Sequence, residues 1–165
     1  MAIGLSKSQV KEDNETVFFE DLAVFMTKMP YAMTTIIGDI IKAFDEELNE
    51  SNNINSDARA TFKYFLGKLV KSFNVFFDVY DKPVLRDYII NPGSLIRISE
   101  AIAKMLRAYH LLVTEDLSNN GPIADDIANA LEKAGALIEG VVVSAITELT
   151  ERPAGSNCPQ QAQSS

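Results

Sequence analysis

A long apolar segment near the carboxyl end, residues 122–149, constrains the fold more than any other stretch of the chain. It reads PIADDIANALEKAGALIEGVVVSAITEL. Apolar side chains recur along it in alternating steps of three and four residues, which is the spacing of one face of an α-helix. These positions are Ile127, Leu131, Ala134, Ile138, Val141, Ala145 and Leu149. Because a second apolar stripe runs beside the first, the helix needs cover on several sides, and we predict that it lies in the core.

Within this predicted helix, small side chains repeat every fourth residue, at Ala136, Gly140 and Ser144. Small residues let a neighbouring backbone approach closely, so we expect another helix to pack along this stripe. Glu132 and Glu139 interrupt the apolar run before it reaches the roughly 20 residues that a membrane span requires. The segment therefore indicates a core helix, and we expect no membrane span.

Further helical segments precede this one, separated by turn signals. The predicted helices cover residues 15–28, 30–48, 57–80, 83–90 and 94–117. We expect Ser56 to cap the helix that begins at residue 57. No segment shows the alternation of apolar and polar residues that a half-buried strand requires. The sequence therefore predicts an all-α fold, a compact bundle of five long helices plus one short helix, with the last long helix (about 122–149) central.

A chain of 165 residues, of which 47% are hydrophobic, makes one globular domain the natural expectation. We expect residues 1–13 to form a flexible arm, residues 14–150 a single helical-bundle domain, and residues 151–165 a disordered polar tail. The one cysteine, Cys158, lies in that tail, which excludes a disulfide within the chain. The amino-terminal residues lack the composition of a signal or transit peptide, so we expect a cytoplasmic protein.

The chain is acidic, with a formal net charge of -8, which argues against binding to nucleic acid. The charge is uneven, because residues 57–107 carry nine basic and five acidic side chains. This excess indicates either a basic face or the solvated flanks of helices.

Several kinds of chemistry lack their residues in this sequence. His110 is the one histidine, so the chain has no histidine pair for a di-iron site, and it has no glycine-rich phosphate loop. Four carboxylates, those of Glu115, Asp116, Asp125 and Asp126, flank one turn, where helix capping and solvation explain them better than a bound cation. We therefore predict that the protein is not an enzyme and holds no metal or cofactor.

Residues 37–41, Ile-Gly-Asp-Ile-Ile, surround a glycine within a predicted helix. This pentapeptide is similar to the centre of the BH3 motif of the Bcl-2 family, whose members are helical bundles with a buried central helix. Thr34 and Pro30 stand where that motif has large apolar residues, and the chain has no tryptophan for the family's other signature motif. A close helix contact at Gly38 is the alternative interpretation. A globin-like bundle with His110 as the axial haem ligand is a further alternative, which no other residue pattern supports.

Two functions remain open. The first is an interaction module, which either self-associates as a homo-oligomer or offers a groove to a partner's helix. Its basis is a surplus of apolar residues on the first two helices, and its candidate interface residues are Phe19, Met26, Ile36 and Ile41.

The second function is the carriage of a small apolar ligand, such as a lipid or a pigment, between helices. The candidate pocket would be lined mainly by aromatic side chains of the helices at 57–80 and 94–117. Its residues are Phe62, Phe65, Phe73, Phe76, Phe77, Met105, Tyr109 and His110. We rank the interaction module above the carrier.

Overall fold

The computed structural model describes residues 30–119 and 121–151. Its five helices are α1 (Pro30–Glu50), α2 (Ser56–Tyr80), α3 (Pro83–Ile89), α4 (Pro92–Thr114) and α5 (Pro122–Glu151). The prediction of an all-α fold is confirmed, because four long helices and one short helix account for most of these residues. The predicted helix at 15–28, the predicted arm at 1–13 and residues 152–165 of the predicted tail lie outside the described residues.

Helix α5 packs against α2, α3 and α4, as expected for the central helix. Its predicted inward face is buried through most of its length, and the side chain of Ile138 is 0% exposed. The buried members of that face are Ile127, Leu131, Ala134, Ile138, Val141 and Ala145. The opposite side, which includes Glu132 and Val143, is exposed. Helix α5 is therefore covered along one broad face, and the described helices do not enclose its whole circumference.

The four long helices surround one core. Helices α1 and α5 each pack against both α2 and α4. Helices α2 and α5 run parallel, because the residues that they bring together advance in the same direction along both. Ala58 and Ala124 border one surface depression, Leu69 lies against Gly135, and Val75 borders a groove with Val142.

Two loops join at one end of the bundle through a short backbone pairing. The amide of Asn55 donates to the carbonyl oxygen of Leu117 at 2.7 Å, and the amide of Leu117 donates to the carbonyl oxygen of Asn53 at 2.7 Å. These bonds form a parallel bridge between Ile54 and Leu117. The prediction that the fourth long segment is helical as far as Leu117 is therefore wrong, because α4 ends at Thr114 and frees Leu117 to pair with the other loop.

Asparagine side chains cap two of the helices. The Oδ1 atom of Asn55 accepts hydrogen bonds from the amides of Asp57 and Ala58, at 2.8 and 3.3 Å. Asn91 accepts in the same way from the amide of Ser94 at 2.9 Å. The expected cap at Ser56 is wrong by one residue, since the carboxamide of Asn55 already satisfies the free amides of the first turn.

The predicted stripe of small residues on α5 faces away from the core. Ala136 and Ser144 are exposed, and no atom lies within 4 Å of a Cβ built at Gly140. The reason is geometric, because Gly140 follows the buried Ile138 by two positions, about 200° around a helix. The close approach occurs instead at Gly135, where an added Cβ would lie 3.9 Å from the Cα atom of Leu69.

The close contact proposed for Gly38 is also wrong for the described residues. A Cβ built there would meet no atom within 4 Å. Gly38 is exposed on α1, whereas the neighbouring Ile37 is buried. The glycine therefore does not mark a helix crossing in this part of the chain.

Candidate functional site

The aromatic residues predicted to line a ligand pocket lie in the hydrophobic core or against it. The buried members, each at most 2% exposed, are Phe62, Phe73, Phe76 and Met105. The half-buried members, which pack against the core, are Phe65, Phe77 and Tyr109. The Phe76 and Phe77 rings meet edge to face with centroids 5.4 Å apart, and the Phe73 ring stacks on Phe77 at 6.1 Å. The rings of Phe73, Phe76 and Phe77 thus contact one another, and all seven side chains contribute to the core or pack against it.

The remaining predicted site residues lie apart from this cluster. His110 is exposed, and its backbone carbonyl accepts a hydrogen bond from the Thr114 hydroxyl at 2.7 Å. Ile36 and Ile41 of the predicted interface are half-buried on α1. Phe19 and Met26 lie outside the described residues.

Carboxylates near the turn between α4 and α5 do not form a cation site. Asp116 accepts hydrogen bonds from the hydroxyl and the amide of Ser118, at 2.7 and 3.1 Å, and these bonds lower the pKa of the Asp116 carboxyl. Across residues 30–119 and 121–151, no three His, Cys, Asp or Glu side chains are grouped so that they could hold a metal ion. None of the described helices has the length and apolarity needed to cross a membrane.

The parallel helices α2 and α5 border a surface groove that the sequence analysis did not identify. Its volume is about 500 Å³. The side chains that line it are Tyr64, Lys68, Lys71, Ser72 and Val75 from α2, and Glu139, Val142 and Val143 from α5. We refer to it as the α2/α5 groove. Both helices present polar and apolar residues to it.

Exposed apolar side chains follow the groove. Tyr64 is 61% exposed, Val75 48% and Val143 55%. Ile146, which is 42% exposed, lies on α5 one turn beyond Val142 and Val143. Large apolar side chains that cluster on a surface mark an interaction site more often than isolated ones do.

One sequence signal could have revealed this surface. Val141, Val142 and Val143 are consecutive, and three consecutive residues span about 200° of a helix. Because Val141 points into the core, Val143 has to point outward. The run of valines therefore predicts an exposed apolar position on the central helix.

The two walls of the groove carry opposite charges. Lys68 and Lys71 stand on the α2 wall and Glu139 on the α5 wall. The Lys68 ammonium lies 5.5 Å from the centroid of the Tyr64 ring, which is a cation–π contact. Within the described ranges the one ion pair joins Lys104 to Glu100, so neither groove lysine has a carboxylate within 4 Å.

A smaller depression continues the groove toward the amino-terminal half of α5. It shares Lys68, Ser72 and Glu139 with the groove, and Gly135 forms part of its lining. The backbones of α2 and α5 approach each other here, since a Cβ built at Gly135 would lie 3.9 Å from the Cα atom of Leu69. The groove is therefore an elongated surface that follows both helices.

The chemistry of the α2/α5 groove suits binding better than catalysis. Its titratable side chains are a tyrosine, two lysines and one glutamate, and all of them border open solvent. Tyr64, Val75 and Val143 can bury apolar surface, while the charged walls can form ion pairs with a bound molecule. The chain as a whole matches no protein-family model, no curated protein and no solved structure.

Proposed function

We propose that this chain is a non-enzymatic interaction module that binds a protein partner through the α2/α5 groove. The observation that carries the proposal is the apolar strip of Tyr64, Val75, Val143 and Ile146 on the exposed side of two packed helices. Covering such a strip removes apolar surface from water, which is the main favourable term in protein association. A groove between parallel helices suits an amphipathic helix, whose apolar face can fill it.

The charged walls support this function because they supply selectivity. Lys68 and Lys71 favour acidic groups on one flank of a bound helix, and Glu139 favours basic groups on the other. Apolar contacts between these walls would supply most of the affinity. The proposal includes the cytoplasmic location expected from the sequence, in keeping with the single cysteine.

The carrier function has less support. Four of the side chains that would line its pocket, those of Phe62, Phe73, Phe76 and Met105, are at most 2% exposed in the core. A small ligand would have to displace these closely packed side chains. Native mass spectrometry tests this alternative, since a carrier purified without denaturation would retain the mass of its ligand.

Selection of helical peptides from a phage-displayed library, with the purified full chain as target, tests the groove. We expect the selected peptides to bind Val143→Glu at least about tenfold more weakly than the unaltered chain, because the variant places a charge in the apolar strip. Val84→Glu is the matched control, since Val84 is 67% exposed on α3 and is not among the residues that line the groove. Peptides that bind Val143→Glu as tightly as the unaltered chain would overturn the proposal.

A further inference from the structure

We infer that the α2/α5 groove is occupied by a second copy of this chain, related to the first by a two-fold axis that runs parallel to α2 and α5. The inference rests on the proposed function, because it names the partner of the same groove. Its basis is the opposite charge of the two walls, with Lys68 and Lys71 on α2 and Glu139 on α5. A surface with one basic and one acidic wall can complement itself.

The direction of the axis follows from the charges. The axis can lie in the interface and run parallel to the helices. A half-turn about this axis exchanges the α2 wall with the α5 wall. It therefore places α2 of one protomer over α5 of its partner. A half-turn about an axis that lies in the interface and perpendicular to the helices would place α2 over α2, and lysines would meet lysines. Like charges across an interface are unfavourable, so the first arrangement is favoured.

The register follows from the same geometry. A rotation about an axis parallel to the helices leaves the height of each residue along the axis unchanged. Leu69 lies against Gly135 and Val75 lies beside Val142, so Lys71 is level with residue 137 or 138 of α5. Lys71 and Glu139 therefore differ in height by about 3 Å or less, on opposite walls of the groove. The two-fold axis therefore places Lys71 opposite Glu139 of the partner subunit, and Glu139 opposite the partner's Lys71. Two equivalent ion pairs form at the interface.

Apolar contacts add to these ion pairs at the interface. Val75 lies beside Val142 and Val143 in the groove, so it would meet the partner's Val143 across the interface. Tyr64 and Ile146, which are 61% and 42% exposed, extend the contact along the two helices. The contact covers one face of two helices, a small area for a protein interface, so we expect a dissociation constant on the order of tens of micromolar.

Sedimentation equilibrium of the full chain between about 5 and about 500 µM tests the inference. We expect the unaltered chain to form dimers in this range. Lys71→Glu and Glu139→Lys should each weaken the dimer at least about tenfold, because each places like charges opposite each other. The double variant carries the reversed pair, so we expect its dissociation constant to return to within about threefold of the original. Lys133→Glu is the control, because it makes the same charge change at an exposed position of α5 outside the groove.

Carbodiimide cross-linking of the unaltered chain gives a second measurement, which does not depend on the folding of any variant. In a mixture of ¹⁴N-labelled and ¹⁵N-labelled protein, we expect mixed-isotope peptides that join Lys71 to Glu139. A dimer whose cross-links lie elsewhere, or whose single charge reversals leave association unchanged, would overturn the inference. If both single variants weaken the dimer and the double variant does not restore its dissociation constant, the two-fold register is overturned.

The outcomes also separate this inference from the proposed function. A chain that stays monomeric at every concentration, but whose selected peptides require Val143, would overturn self-association and leave a different protein partner in the groove. A monomer whose selected peptides bind Val143→Glu as tightly as the unaltered chain would overturn both self-association and the proposed function. Dimers that dissociate on Lys71→Glu and recover in the double variant would support both.

Discussion

The guanidinium group of Arg59 donates a hydrogen bond to the carbonyl oxygen of Leu48 in the last turn of α1. The same group donates to the carbonyl oxygens of Ser51 and Ile54, at 2.8 and 3.4 Å. The last carbonyl groups of a helix have no partner within that helix, so a side chain from the next helix satisfies one here. Arg59 thereby connects α2 to the end of α1 and to the loop that follows it.

Replacing Arg59 with lysine should lower the free energy of unfolding by about 1–3 kcal/mol. An ammonium group cannot reach several carbonyl oxygens in one plane as a guanidinium does, and buried carbonyl groups would lose their donors. Urea denaturation measures the change. Lys63→Ala is the control, because Lys63 also connects α2 to α1, through a 2.7 Å hydrogen bond to Asn49, but at an exposed position. We expect that variant to lose less than about 1 kcal/mol. Equal losses in the two variants would contradict a special role for Arg59.

Shortening a side chain on the buried face of α5 should lower the free energy of unfolding strongly. Ile138 is 0% exposed, so Ile138→Ala would leave a cavity in the core and should lower the free energy of unfolding by about 3–4 kcal/mol. The matched control is Ile146→Ala, the same substitution on the same helix at a position that is 42% exposed. Its effect should stay below about 1 kcal/mol. Thermal or urea unfolding, followed by circular dichroism at a concentration where the chain is monomeric, would compare the two. A smaller loss at residue 138 than at residue 146 would contradict the central position of this face.

Gly135→Ala should stabilise the protein although Gly135 marks the close approach of α2 and α5. An added Cβ would lie 3.9 Å from the nearest atoms of Leu69 and Ser72, an ordinary van der Waals contact. Within a helix, alanine is more favourable than glycine by about 0.5–1 kcal/mol. We therefore expect the free energy of unfolding to rise by that amount. Gly140→Ala, where an added Cβ meets no atom within 4 Å, serves as the control and should give a similar gain. Destabilisation at residue 135 alone would mean that the helices lie closer together than the structure shows.

The turn after α4 should respond to acid through Asp116. Hydrogen bonds from Ser118 hold the pKa of the Asp116 carboxyl below its ordinary value. A carboxyl whose pKa is lower in the folded state stabilises the fold above its unfolded pKa, and that contribution is lost as the pH falls through the folded pKa. Ser118→Ala should therefore raise the pKa of Asp116, which an NMR titration of its carboxyl carbon would measure. Asn119→Ala, a neighbouring substitution that leaves both hydrogen bonds in place, should not change this pKa. Alanine keeps the amide donor and removes only the hydroxyl donor, so an unchanged titration in Ser118→Ala would contradict the assignment of the larger part of the shift to the hydroxyl hydrogen bond.

Much of the fold could be predicted from local spacing. The alternation of three and four residues between Ile127 and Ala145 indicates which face of α5 is buried, because side-chain direction in a helix depends only on position along the chain. The structure confirms that face and the all-α fold. The sequence-based prediction was wrong at Leu117, which we expected at the end of the fourth long helix but which pairs with Ile54. That pairing depends on a distant loop, which no local pattern contains.

The sequence by itself therefore determined the helices, their approximate ends and the buried face of the central helix, since these depend on interactions between residues a few positions apart. The tertiary structure alone decided which helices are neighbours and in which direction they run. Tyr64 and Val143 belong to separate helices, and their common groove exists because α2 and α5 pack side by side and parallel. Packing of whole helices depends on the shape and volume of all their side chains together, so the candidate site became visible only in the folded chain.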